Sequence, residues 1–174
     1  MRSASGSMSS RAVLSAAILA TCFCSGLAVA PVLEARGIPS AHLLRDAYAP
    51  LCHQLPARTL GFGERPLPVC ARCAGLYGGG VVALFLAWLF PLLGRSAGWR
   101  ALAIAFVPTI LDASVRLFGR SGVGNGPRLL LALPAGFVAG LLLAEGIADL
   151  AALALTRRFP MAAPGSRGSV PGRP

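Results

Sequence analysis

Lysine is absent from this 174-residue chain, and charge of either sign is scarce: 16 arginines and six acidic residues make up 13% of it. A domain of this size with so few charges cannot cover itself with a water-compatible surface, so an ordinary soluble globule is excluded. Aromatic residues reach only 7% and do not interleave with the arginines, so the formal charge of +10 carries no nucleic-acid signature. The arginines are scattered between apolar blocks, where flanking charge for membrane segments is the simpler reading. Their exclusive use, with the wealth of Ala, Gly and Pro, also reflects a compositional bias of the sequence as a whole. What is abundant is apolar: 55% of residues are hydrophobic, and the mean hydropathy is +0.69. Lipid is the expected solvent and the bilayer the expected partner.

Four apolar blocks, about 12–33, 74–93, 99–118 and 129–150, each approach the roughly 20 residues an α-helix needs to cross a hydrocarbon core. Backbone polar groups find no water in lipid, so these blocks are expected to be helices. The fold class is therefore all-α, an integral membrane bundle of four helices, or of three if the first is cleaved. A polar segment 1–11 precedes the membrane domain 12–156, and a Pro, Gly, Ser and Arg-rich tail follows from 157 to 174 with the composition of disorder. Arg2, Arg11, the first apolar block and Ala28-Val29-Ala30 have the outline of a signal peptide, but Pro31 makes a poor cleavage context and an uncleaved anchor is preferred. An N-inside arrangement places eight arginines on each side, so charge counting does not orient the bundle. The N-terminal segment decides instead, and it sends residues 34–73 to the extracytoplasmic face.

That polar connection holds Cys52-His53-Gln54, then Arg58, then Cys70-Ala71-Arg72-Cys73. Three thiols and an imidazole within so short a stretch form the sharpest chemical feature in the chain. Cys70 and Cys73 can converge on one ion, and with Cys52 and His53 a Cys3His tetrahedral set for zinc can be written. Adjacent residues rarely ligate one ion with ease, so His53 is the weakest of the four, a fourth ligand or a nearby acid/base. Gln54, Arg58, Arg72, Asn125 and Arg128 are candidate supporting or anion-holding groups. The same sulfurs admit a redox reading. The thiols stand at the start of an apolar helix beside Arg72, where dipole and charge both favour thiolate. Cys70 and Cys73 would then exchange, with Cys52 as third thiol and a quinone as cofactor under this alternative alone. A c-type haem site is excluded, because Ala74 stands where its histidine would follow. Cys22 and Cys24 lie inside the first apolar block and read as packing residues.

Ionisable residues at membrane depth are costly and mark buried polar sites. Asp112 has Arg116 four positions on, hence on the same helix face, and Pro108 one turn earlier can kink that helix. Glu145 and Asp149 share a face near the end of the fourth block and read as interfacial. Gly75 with Gly79, and Gly136 with Gly140, have the spacing for close helix contact. Asn125 and Arg128 end a glycine-rich turn, residues 119–128, just ahead of the fourth block. A non-enzymatic transport or assembly role, with Asp112 as a buried contact and structural thiols, is a further alternative.

The elements CHQLPAR and PVCARCAGLYGG, with Asp112, Asn125 and Arg128, resemble the prokaryotic membrane-protein family catalogued as domain of unknown function 2085, over roughly residues 45–143. The chain departs from that pattern at Thr59-Leu60, where Ser-Phe is expected, and at Ala74, where Thr is expected. The resemblance implies a multi-span protein of the prokaryotic cytoplasmic membrane sharing Cys52, His53, Gln54, Arg58, Cys70, Arg72, Cys73, Tyr77, Asp112, Asn125 and Arg128. It implies no reaction.

Overall fold

The computed structural model describes residues 2–62, 65–93, 98–118 and 123–158. Among these residues, apolar composition without a competing strand pattern gives four long helices, α1 (Arg2–Ala35), α3 (Ala71–Leu89), α4 (Trp99–Leu117) and α5 (Asn125–Arg158). A short helix α2 (Ala41–Ala47), a 3-10 turn (Pro56–Arg58) and strands β1 (Thr59–Phe62) and β2 (Arg65–Cys70) fill the polar connection between α1 and α3.

Among the described residues, three stretches are long and apolar enough to cross a membrane: Ser9–Ala35, Ala71–Leu89 and Asn125–Ala154. The third expected span exists as a helix, α4, but Arg100, Asp112 and Arg116 interrupt its apolar character. The helices also outrun the expected blocks. α1 and α5 are each 34 residues long, about 50 Å at the α-helical rise, so both project beyond a core of about 30 Å. Pro31, Pro108 and Pro134 lie inside helices. The expected tail begins in helix at Arg157 and Arg158, and its remainder, 159–174, lies outside the described residues, as do 119–122 of the glycine-rich turn.

The bundle is knit along α3 and α5, its most extensive helix pair. The glycine spacing in the sequence makes this contact possible. A Cβ at Gly75 or Gly79 would run into the carbonyl oxygens of Leu129 and Leu133, and one at Gly136 into the Leu76 backbone. At Gly140 a Cβ would stand 2.7 Å from the Gly80 carbonyl oxygen. Backbone thus meets backbone, as small residues allow when lipid supplies no hydrophobic drive between helices. α1 joins through Val13 and Ala17, which pack with Ala83, Leu84, Ala87, Leu141 and Ala144. α4 rests mainly on α5, where the Thr109 hydroxyl donates to the Leu131 carbonyl at 3.1 Å.

Between α1 and α3 the chain folds into a small cap. β1 and β2 pair antiparallel, with Thr59 opposite Cys70 and a register irregularity between Thr59 and Gly61. Two prolines in β2, Pro66 and Pro68, are tolerated because a two-stranded ribbon leaves one edge of each strand unpaired. A second core cluster of Leu27, Tyr48, Cys52, Val69 and Cys70 joins cap to bundle.

Candidate functional site

The cap is fastened by polar contacts that start from ordinary side-chain chemistry. Arg45 in α2 donates from Nε and Nη2 to both carboxylate oxygens of Glu34 at 2.8 and 3.0 Å, and from Nη2 to the Pro66 carbonyl at 2.8 Å. One planar guanidinium thus ties the end of α1 to β2, a task that suits its fixed fork. Gln54, in left-handed backbone at φ 48°, donates to the Arg45 carbonyl at 2.7 Å. The buried Tyr48 hydroxyl donates to the Phe23 carbonyl at 2.5 Å, its ring edge-on to Phe23 with centroids 4.9 Å apart. Burial pushes its phenol above the usual range.

These fastenings bring three sulfurs together. Cys52 arrives on the loop after α2, Cys70 ends β2, and Cys73 lies in the first turn of α3; their Sγ atoms all lie within 4.8 Å of one another. Cys52 and Cys70 are buried, Cys73 half-buried, and none is in a disulfide. The Cys70 backbone N–H donates to Cys52 Sγ at 3.1 Å, which ties the loop after α2 to the end of β2. The Cys70 thiol is lowered to about 5. The hydrogen bond with the Cys73 thiol is the largest cause; burial opposes it, and the Cys73 amide, Cys52 and the charge of His53 add to it. Three thiolates around one tetrahedral ion at about 2.3 Å would stand roughly 3.8 Å apart, so small side-chain rotations would suffice to close the triangle.

His53 is exposed and does not join the sulfurs in that cluster. It instead lines a small cleft beside them, together with Arg58, Cys70, Arg72 and Arg128. The far wall of the cleft is an ion-pair network. Asp112 in α4 pairs with Arg72, which reaches from α3, and lies 3.4 Å from Arg128 Nε of α5. It also accepts the Val123 backbone N–H at 3.3 Å. The expected Asp112–Arg116 pair cannot be compared with these long-range partners, because the Arg116 side chain lies outside the described residues. Asn125 donates to the carbonyls of Ala57 and Thr59 at 3.3 and 2.8 Å and accepts from Arg128 Nη1 at 3.0 Å. It therefore clamps the cap onto α5.

Of the residues singled out by sequence, Cys52, Cys70 and Cys73 meet, and Arg58, Arg72, Arg128 and His53 share the adjoining cleft. Gln54 and Asn125 serve as fastenings of the cap. Cys22 is exposed and Cys24 half-buried on α1, outside the sulfur cluster. Glu145 is half-buried and Asp149 exposed near the end of α5. Glu34, Arg45 and Tyr48 escaped sequence reasoning, although a charge pair flanking the end of an apolar block offered a hint.

A family model described as "Predicted membrane protein (DUF2085)" matches residues 52–143, the stretch from the first of the three thiols to the middle of α5. An uncharacterized protein of Methanothermobacter thermautotrophicus is 34% identical over 86 residues, covering 49% of this chain and 78% of the relative. An uncharacterized protein of Methanocaldococcus jannaschii is 30% identical over 99 residues, covering 54% of this chain and 62% of the relative's length. No solved structure matches.

Proposed function

The chain belongs to the DUF2085 family of predicted membrane proteins, and on that premise we propose that Cys52, Cys70 and Cys73 form a three-thiolate centre for a soft divalent metal, zinc being the expected ion. The convergence of three sulfurs from three separate elements carries the reading. A structural disulfide needs only two. The low proton affinity of Cys70 supports it further, since a metal-bound sulfur must give up its proton. His53, at the neighbouring cleft, is the residue of this chain suited to the fourth position or to proton transfer beside it. With three protein ligands the fourth position would be open, the arrangement of catalytic rather than closed structural zinc sites.

A second reading, thiol–disulfide exchange, draws on the same Cys70 thiolate placed beside Cys73 at the start of α3. Oxidation would join the Cys70 thiolate and the Cys73 thiol in a disulfide, releasing two electrons and one proton to a quinone-class acceptor. One experiment separates the two. Protein purified in detergent without oxidant is assayed for bound metal and for free thiols before and after chelation. About one metal per chain, with thiols exposed by the chelator, is the result expected for the metal centre. Metal-free protein whose Cys70 and Cys73 switch reversibly with applied redox potential would replace it with the exchange reading.

A further inference from the structure

The cleft beside the sulfurs has an electrostatic imbalance that a metal on those sulfurs would not remove. Three guanidiniums, those of Arg58, Arg72 and Arg128, line it, while the one carboxylate paired with two of them is Asp112. Among the described residues this leaves a surplus of two positive charges at the cleft. Arg128 is 4% exposed, yet its Nη2 and Nε make no hydrogen bond, and neither does the buried Nε of Arg72. The nearby acceptors are already engaged: Asn125 Oδ1 with Arg128 Nη1, and Asp112 with Arg72 and the Val123 N–H. Buried guanidinium donors left in this condition are costly and are ordinarily matched by an acceptor.

We propose that the cleft binds one small oxoanion of the phosphate class, either free or as the headgroup of an anionic lipid, whose oxygens supply the acceptors that Arg128 and Arg72 lack. The planar forks of arginine suit a phosphate geometrically, and a dianion would offset the surplus of two positive charges. The cleft is small, with room for about one water-sized group. One oxygen of the anion could therefore enter, and the rest of the molecule would stay outside. Arg58 in the 3-10 turn lines the same cleft while half-buried, and it takes no part in the Asp112 pairs.

The test titrates the full chain in neutral detergent with inorganic phosphate, using metal-loaded and chelated protein in parallel and chloride at matched ionic strength as control. The thermal midpoint is the readout. A saturable phosphate-specific rise in both preparations is expected. Arg58→Gln, which spares the buried pairs, should raise the half-saturating concentration about tenfold or more, the loss typical of one hydrogen bond to a charged group. For the lipid source, nanodiscs of phosphatidylcholine with phosphatidylglycerol should raise the midpoint over phosphatidylcholine alone and abolish the phosphate response. A response confined to metal-loaded protein would assign the anion to the metal and overturn the arginine site. So would the absence of any response to phosphate or phosphatidylglycerol. Binding by the chelated protein would stand even if the metal reading failed.

Discussion

Replacing Asp112 by Asn tests whether the junction of α3, α4 and α5 is held by charge. The substitution keeps size and one carbonyl acceptor, so the Val123 contact can survive, but it removes the counter-charge of Arg72 and Arg128. The two arginines should respond differently. The Arg72 side chain is 24% exposed and can turn toward solvent, whereas that of Arg128 is 4% exposed and has no such route. Breaking a buried pair from one side costs about 3–5 kcal/mol, a large share of the roughly 5–15 kcal/mol that holds a typical domain together. Asp112→Asn should therefore destabilise by about that amount in a reversible denaturant titration in detergent. Arg128→Gln added to it should recover part of the loss, because the uncompensated buried charge is then gone, and the coupling energy of the cycle should be about 1–3 kcal/mol. An Asp112→Asn protein within about 0.5 kcal/mol of the parent, or a double variant no better than additive, would show that charge does not hold this junction.

Three further expectations follow from other parts of the fold. Gly136→Val drives a side chain into the Leu76 backbone and should cost about 1–3 kcal/mol or more by the same titration, while Gly146→Ala, with nothing within 4 Å of the new Cβ, should be neutral or slightly stabilising; equal effects would contradict the α3–α5 contact. In reduced, metal-free protein, alkylation of Cys70 followed by peptide mass spectrometry should lose rate only as pH falls through about 5, well below the ordinary thiol value of about 8.5. Cys73→Ala should move that midpoint upward, because it deletes the leading cause of the shift, and a parent midpoint near 8.5 would remove the case for a Cys70 thiolate. Finally, since Val13, Ala17 and Leu27 of α1 are part of the core, the intact mass of protein extracted from membranes should include the residues ahead of Pro31; a chain beginning there would show that the bundle holds together without α1.

The parts of this fold legible in the sequence are those set by local composition. Apolar runs announced the long helices, and the glycine pairs at 75/79 and 136/140 announced the contact between α3 and α5, because each depends only on residues a few positions apart. The cap's hairpin is not legible for the opposite reason: Pro66 and Pro68 erase the donor pattern of a strand, so the polar connection has no local strand signature. Asp112 pairs with Arg72, which stands 40 positions earlier in the chain. No sequence spacing encodes that meeting. The three thiols were grouped from proximity along the chain, but Cys52 joins Cys70 only because Arg45, Tyr48 and Asn125 fasten the cap to the bundle.

The central claim, that three sulfurs share one metal, is most directly tested by X-ray absorption at the metal edge of protein purified without oxidant. About one metal per chain is expected, with three sulfur neighbours at about 2.3 Å and one lighter oxygen or nitrogen neighbour. Two sulfurs or fewer around the metal, or the same spectrum from Cys52→Ser as from the parent, would contradict it.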